Sequence, residues 1–187
     1  MIVLGIDEVG RGGWAGPLVV GAVILDHPII GLTDSKLLSK IKRELLNKII
    51  LSQATATGLG WVEPSEIDRL GLTAATKLAI ERALAQIEVH YDEILIDGSI
   101  NFIKDNPKSR CEIKADLIYP SVSAASIIAK VARDNYMAKL SETYPDYGFD
   151  KHVGYGTALH KSKLLEFGVT KIHRHSYAPI KLIEASF

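Results

Sequence analysis

Two short continuous apolar runs stand out at the start of the chain. Residues 2–6 and 17–25 are rich in Val, Ile and Leu and are bounded by glycine, which predicts two buried strands. Residues 39–52 change to a helical period, with Ile41, Leu45 and Ile49 on one stripe and Leu38 and Leu46 beside it. A third strand is expected over 54–63, weakened or bent by Gly58 and Gly60. Pro64 and Ser65 open a short helix that Gly71 ends, and a longer helix is expected over 73–90. Residues 93–96 form a short strand delivering Asp97-Gly98, 101–110 read as a loop, and 111–114 read as a strand leading to Asp116. Residues 121–140 make the strongest internal helix, where Ala124, Ala125, Ala129 and Ala132 allow close approach to a sheet. Residues 143–157 read as a functional loop, followed by short helices over 161–167 and 179–187. The sum is one α/β domain with a mixed sheet flanked by helices, its strand order undetermined.

Length and composition narrow this picture. At 187 residues, with 47% hydrophobic and 24% charged, the chain fits one domain with an ordinary core. Basic and acidic residues balance at 22 each, which argues against indiscriminate coating of polyanions but leaves room for a basic face. Cys111 is the only cysteine, so neither a disulfide nor a cysteine-rich zinc site is expected. No signal-peptide pattern and no membrane-length apolar run is present, and a reducing, cytoplasmic location is the expectation.

The candidate chemistry is acidic. Asp7 and Glu8 follow an apolar strand and lead into Gly10-Arg11-Gly12, and burying two carboxylates there is costly without a cation. Asp97 follows a second strand, and strand ends are where open α/β sheets commonly place chemistry. With Asp116, these side chains offer hard oxygens, which suit Mg²⁺ or Mn²⁺ better than structural zinc. Neighbours in a regular strand face opposite ways, so Asp7 and Glu8 share a site only if the chain turns or Glu8 reaches around the strand end. The glycine-rich segment lacks the GK[ST] ending of a phosphate-binding ATPase loop.

Residues 6–17, IDEVGRGGWAGP, resemble the first active-site motif of the type 2 ribonuclease H (ribonuclease HII) family. Thr33-Asp34-Ser35-Lys36, Asp97-Gly98, Lys114-Ala115-Asp116, SAASIIAKVARD at 123–134, GYGT at 154–157, His160 and HRHSYAP at 173–179 continue the resemblance in order. It covers nearly the whole chain. It implies an RNase H-like fold over residues 1–187, with a C-terminal helical substrate-binding extension from about residue 143. It further implies a metal-dependent endonuclease that hydrolyses the RNA strand of RNA–DNA hybrids. Such an enzyme also cuts duplex DNA on the 5′ side of an embedded ribonucleotide, leaving 3′-hydroxyl and 5′-phosphate ends. Asp7, Glu8, Asp97 and Asp116 match the four active-site carboxylates, expected to hold two Mg²⁺ or Mn²⁺ ions during catalysis. Gly10, Arg11, Gly12 and Tyr155 match the elements that recognise a ribonucleotide joined to DNA. Two departures bear on loop geometry and substrate preference: Gly156 stands where many relatives have proline, and Ala115 where many bacterial relatives have glycine.

Each assignment has a plainer competitor. Asp134 is a candidate auxiliary acid, but its spacing also lets it pair with Lys130. Arg11 is a candidate phosphate or ribose ligand or an ordinary surface charge. Tyr155 is a candidate for stacking on a ribose or base, or a cover for an apolar patch. Lys36 and Lys130 are candidate phosphate neighbours, Thr157 orients the tyrosine loop, and His160 is either functional or a structural hydrogen-bonder. Trp14 shapes the acidic loop or packs in the core. Lys151, Lys161, Lys163, Lys171, Arg174 and Lys181 suggest a duplex-binding face, with a solvated charged face as the alternative. A hybrid-binding module without catalysis and a strand-transfer enzyme are the competing functions. The chain is expected to act as a monomer on RNA–DNA hybrid and ribonucleotide-containing duplex DNA, away from membranes.

Overall fold

The computed structural model describes residues 1–186, and its centre is a five-stranded sheet in the order β3-β2-β1-β4-β5. Strand β1 (Val3–Val9) pairs antiparallel with β2 (Leu18–Ile24), which pairs antiparallel with β3 (Ala56–Val62). On its other side β1 runs parallel to β4 (Glu93–Asp97), and β4 runs parallel to β5 (Ser109–Glu112). Helix α1 (Lys40–Gln53) lies in the connection from β2 to β3, and α2 (Pro64–Leu70) and α3 (Leu72–Leu84) fill the connection from β3 to β4 that carries the chain across the sheet. After β5 come α4 (Ala115–Ile118), α5 (Pro120–Thr143), α6 (Phe149–His152), α7 (Ala158–Phe167) and α8 (Ala178–Glu184).

Strand alternation divides the core. Leu4, Ile6, Val20, Ala22 and Ile96 point to the side covered by Ala75, Ala79, Ile80 and Ala83 of α3. Val23 points to the other side, toward Ala124, Ala125, Ile127 and Ile128 of α5, with Leu46 and Ile50 of α1 behind them. Helix α5 lies very close to the sheet because Gly5 and Gly21 present no side chain. A Cβ on Gly5 would stand 2.3 Å from the Ser121 backbone, and one on Gly21 would stand 2.3 Å from the Ala125 carbonyl.

Several expectations need correction. Strand β1 continues through Asp7 to Val9 rather than ending at residue 6, because those last positions still pair with Gly21, Val20 and Val19 of β2. Two of the three stripe positions expected on α1 face outward, Ile41 at 80% and Leu45 at 58% exposure, whereas Ile49 is partly buried against the core and Leu46 and Ile50 are buried. The apolar arc of that helix is broad, and only the position of α5 decides which edge is covered. Helix α3 stops at Leu84, short of residue 90, and the Gln86 side chain turns to exchange hydrogen bonds with both backbone groups of Leu59 on β3. Gly58 and Gly60 do more than weaken β3, since a Cβ on Gly60 would lie 1.8 Å from the Ala79 carbonyl of α3. Strand β5 starts two residues early, inside the expected loop, and Lys114 then takes a left-handed turn (φ 61°) so that Asp116 opens a helix. The expected loop over 143–157 contains a 3₁₀ turn (Pro145–Tyr147) and α6, anchored by buried Tyr147 and Phe149, whose rings stack 5.5 Å apart. The last helix ends at Glu184, and Phe187 of the expected 179–187 segment lies outside the described residues.

Candidate active site

The parallel register of β1 and β4 pairs Ile6 with Ile96, so the next residues, Asp7 and Asp97, lie side by side on the face opposite the α3 core. Strand β4 stops there while β1 continues, which opens the sheet between the two strand ends. Asp7 is 8% exposed, and its Oδ1 accepts the Glu8 backbone N–H at 2.7 Å. The Oδ1 of Asp97 accepts the Ala115 N–H at 2.8 Å, tying the end of β4 to the start of α4 and bringing Asp116 within reach. Glu8 remains in the ladder opposite Val20, and its Oε1 meets Arg11 Nη1 at 3.3 Å. Arg11 in turn lies 5.1 Å from the Phe102 ring, and its Nε is buried without a hydrogen-bond partner among the described residues.

Electrostatics join these side chains more closely than backbone position alone. Burial, followed by the charges of Glu8 and Asp97, pushes the Asp7 carboxyl up to about 8, with the Ser126 hydroxyl opposing. Burial raises the Glu8 carboxyl as well, against the pull of Arg11 and with a contribution from Asp97. Asp116 is raised by burial and then by Asp97 and Asp34, while Lys36 acts the other way. Asp97 is therefore the common neighbour of all three. The acids are gathered but not closed on one point: among the described residues, no group of three or more acidic, imidazole or thiol side chains is placed to hold an ion as it stands. Asp7 and Asp97 each accept a backbone N–H instead, and Glu8 meets Arg11. The donor set still fits a hard divalent cation, because it consists of carboxylate oxygens and includes a buried carboxyl whose charged form lacks compensation.

A cleft of about 410 Å³ covers Asp7 and Glu8 and is lined by Gly10, Arg11, Gly12, Ser35, Lys36, Ser126, Lys130 and Tyr155. Most of the residues expected to meet substrate thus share this cleft with Asp7 and Glu8, whereas Asp97 and Asp116 lie outside its lining. Lys130 Nζ is bonded to Asp134 Oδ1 at 2.8 Å, and Asp134 is not among the charges acting on Asp7, Glu8 or Asp116. Thr157 lies outside the cleft and caps α7, accepting the His160 N–H at 3.2 Å. Trp14 packs against Gly156 rather than entering the cleft. Of the basic residues in the C-terminal segment, Arg174 is fully buried and takes no part in a charged face.

Sequence reasoning passed over Arg133 and underestimated Arg174, although both hold the glycine-rich loop in place. Arg133 donates to Pro17 O and Val153 O, both at 2.9 Å, and to Ala15 O at 3.2 Å, with its Cζ 5.2 Å from the Tyr155 ring. Gly10 adopts φ +93° directly above it, and a Cβ there would meet Arg133 Nε at 2.2 Å. Arg174 donates to Gly16 O and to Arg11 O, the latter at 3.0 Å. Neither guanidinium has a carboxylate partner among the described ion pairs. A signal for Arg133 was present, since it stands among alanines and aliphatic residues on a helix destined for burial.

This sheet order, with helices on both faces and acids clustered beside the end of β4, defines an RNase H-like α/β protein. The family model described as Ribonuclease HII matches residues 4–180. A ribonuclease HII of Dichelobacter nodosus is 47% identical over 182 residues, covering 96% of this chain and 95% of that protein. The crystal structure of ribonuclease H2 from Pyrococcus horikoshii superposes with a TM-score of 0.87 at 30% identity, covering 100% of this chain and 98% of the other. The RNase HII in a PCNA:RNase HII complex from Archaeoglobus fulgidus gives a TM-score of 0.82 at 27% identity, with 95% of each chain covered. The chain belongs to the ribonuclease HII family and is an RNase H endoribonuclease.

Proposed function

We propose that this cleft hydrolyses the RNA strand of RNA–DNA hybrids and cuts on the 5′ side of ribonucleotides embedded in duplex DNA, leaving 3′-hydroxyl and 5′-phosphate ends. The observation that carries the reading is the burial of Asp7 beside Glu8 and Asp97 on the wall of an open cleft, which raises its carboxyl to about 8. Asp7, Glu8, Asp97 and Asp116 are assigned as the ligands of Mg²⁺ or Mn²⁺. Such an ion, once bound, supplies Lewis-acid stabilisation of the phosphate and activation of water.

The chain's own groups orient the duplex. Gly10 and Gly12 allow the strand backbone to approach the loop closely, and Arg11 exchanges Glu8 for a phosphate oxygen. Tyr155 packs against the sugar that carries the 2′-hydroxyl, which is the group separating RNA from DNA. Lys36 and Lys130 neutralise flanking phosphates, while Asp134 acts through its pair with Lys130. Residues from about 143 onward serve as the substrate-binding extension, and a cytoplasmic monomer is the proposed working form.

The test is a 5′-labelled DNA duplex with one ribonucleotide, run beside an all-DNA duplex and a continuous RNA–DNA hybrid, with Mg²⁺ or Mn²⁺. Ribonucleotide-dependent cleavage that disappears in Asp7→Asn is the expected result. Joined products would point to strand transfer, and binding without cleavage would refute the assignment.

A further inference from the structure

Behind Tyr155 lie three buried imidazoles, His152, His160 and His173, none of which belongs to the carboxylate cleft. Their hydrogen bonds form a chain from which the tautomers are assigned. His173 Nδ1 faces the Thr170 N–H at 3.0 Å, its hydroxyl at 2.9 Å and its carbonyl at 3.3 Å; accepting from the N–H, the shorter of the two backbone contacts, puts the His173 proton on Nε2. That nitrogen lies 3.1 Å from His160 Nε2 and donates to it, which leaves the His160 proton on Nδ1. His160 Nδ1 then donates to the Tyr155 carbonyl at 3.0 Å. His152 stacks on His160 with ring centres 4.3 Å apart, accepts the Gly154 N–H at Nδ1 and donates from Nε2 to Tyr147 O.

The loop above this chain does not hold its shape by local preference. Val153 has φ +43°, a left-handed conformation that a β-branched residue disfavours, and Gly154 follows with φ +83°. Tyr155 sits next, bridged to Gly13 of the glycine-rich loop. Its N–H donates to the His152 carbonyl at 2.9 Å, and its own carbonyl accepts from the Thr157 N–H at 2.8 Å and from His160 Nδ1 at 3.0 Å, the one side-chain donor it has among the described residues.

We propose that His160 is a positioning residue for ribonucleotide selectivity. Its Nδ1 proton anchors the Tyr155 carbonyl, and His173 holds His160 in the tautomer that can do so. The inference rests on the reading of Tyr155 as the ribonucleotide sensor.

The test uses the full chain and compares His160→Asn with His160→Gln. An asparagine amide falls near the Nδ1 position and can still donate to Tyr155, whereas a glutamine amide reaches the Nε2 position toward His173. Each variant, with Tyr155→Ala, is assayed on the single-ribonucleotide duplex and the continuous hybrid. His160→Gln is expected to lower kcat/KM on the single-ribonucleotide duplex about tenfold or more relative to the hybrid. His160→Asn is expected to keep that ratio within about twofold of the parent, since the carbonyl anchor survives. Equal losses of the ratio in both variants, or no change in either while Tyr155→Ala shifts it, would overturn the inference. If Tyr155→Ala leaves the ratio unchanged, the sensor reading itself fails. Long-range ¹H–¹⁵N NMR of the unaltered protein gives a result independent of variant folding: His160 as the Nδ1–H tautomer supports the chain, and Nε2–H refutes it.

Discussion

Gly156 lies flat against Trp14: a Cβ added to Gly156 would stand 2.1 Å from the indole Cε2. This contact accounts for the absence of a larger residue beside Tyr155 and makes the glycine a packing requirement. Gly156→Ala should displace the loop carrying Tyr155 and reduce kcat/KM on a single-ribonucleotide duplex about tenfold. Overpacking should also lower stability by about 1–3 kcal/mol. Trp14→Leu should relieve part of both losses in the double variant, and a double-mutant cycle measures that coupling.

Asp7 sets function against stability. Its folded carboxyl is raised from 3.8 to about 8, so between those values the folded chain holds a proton that the unfolded chain releases. Stability without metal should therefore fall as pH rises through this window. Asp7→Asn should abolish cleavage, remove this slope and raise Tm at pH 8 in chelated buffer. Each kcal/mol relieved corresponds to about 2–4 °C. Added Mg²⁺ should raise the Tm of the parent and leave the variant nearly unchanged; thermal scans with and without chelator read both effects.

Arg133 is a fully buried group that holds the loops around the cleft. Replacing it with methionine leaves the Pro17, Ala15 and Val153 carbonyls without their donor. The expected destabilisation is about 2–4 kcal/mol, because unpaired buried carbonyls outweigh the relief of removing a buried charge. Arg133→Lys should recover only part of it, since an ammonium cannot span the positions reached by the guanidinium fork. Urea denaturation ranks the three proteins.

The histidine chain predicts acid sensitivity. Burial depresses His160 to about 4 and His173 to about 3 from an ordinary 6.5, and it lowers His152 in the same direction. Between 6.5 and about 3 the unfolded chain takes up protons that the folded chain refuses, so these groups erode stability as pH falls. Substituting His173 with glutamine should flatten the stability profile between pH 6.5 and 4, measured by denaturant midpoints across that range.

Gly21 is a position where a methyl group reaches the active site indirectly. A Cβ there meets the Ala125 carbonyl at 2.3 Å, so Gly21→Ala should push α5 away from the sheet. That helix carries Ser126, Lys130 and Arg133, and both stability and cleavage should fall together. The expected stability loss is about 2–3 kcal/mol, read by chemical denaturation beside the cleavage assay.

The chain order of apolar runs and turns was enough to find β1, β2 and β4, because short Val/Ile/Leu-rich segments beside a turn have few other ways to be buried, whereas the half-buried β5 (SRCE) was placed two residues late. The motif residues around Asp7, Asp97 and Asp116 were legible for the same local reason: each carboxylate stands out at or just beyond an apolar segment or a turn. Local pattern could not say which edge of α1 is covered, since Ile41 and Ile50 are equally apolar and only the placement of α5 distinguishes them. Nor could it separate Arg174, buried under the glycine-rich loop, from the exposed lysines around it. The sequence itself determined which groups are the candidates for the chemistry. Tertiary structure decided which of them meet, because the parallel register of β1 and β4 brings Asp7 beside Asp97 across 90 residues of chain. Hydrogen bonds from Arg133 and the histidine chain then fix loops whose left-handed conformations no local preference would select.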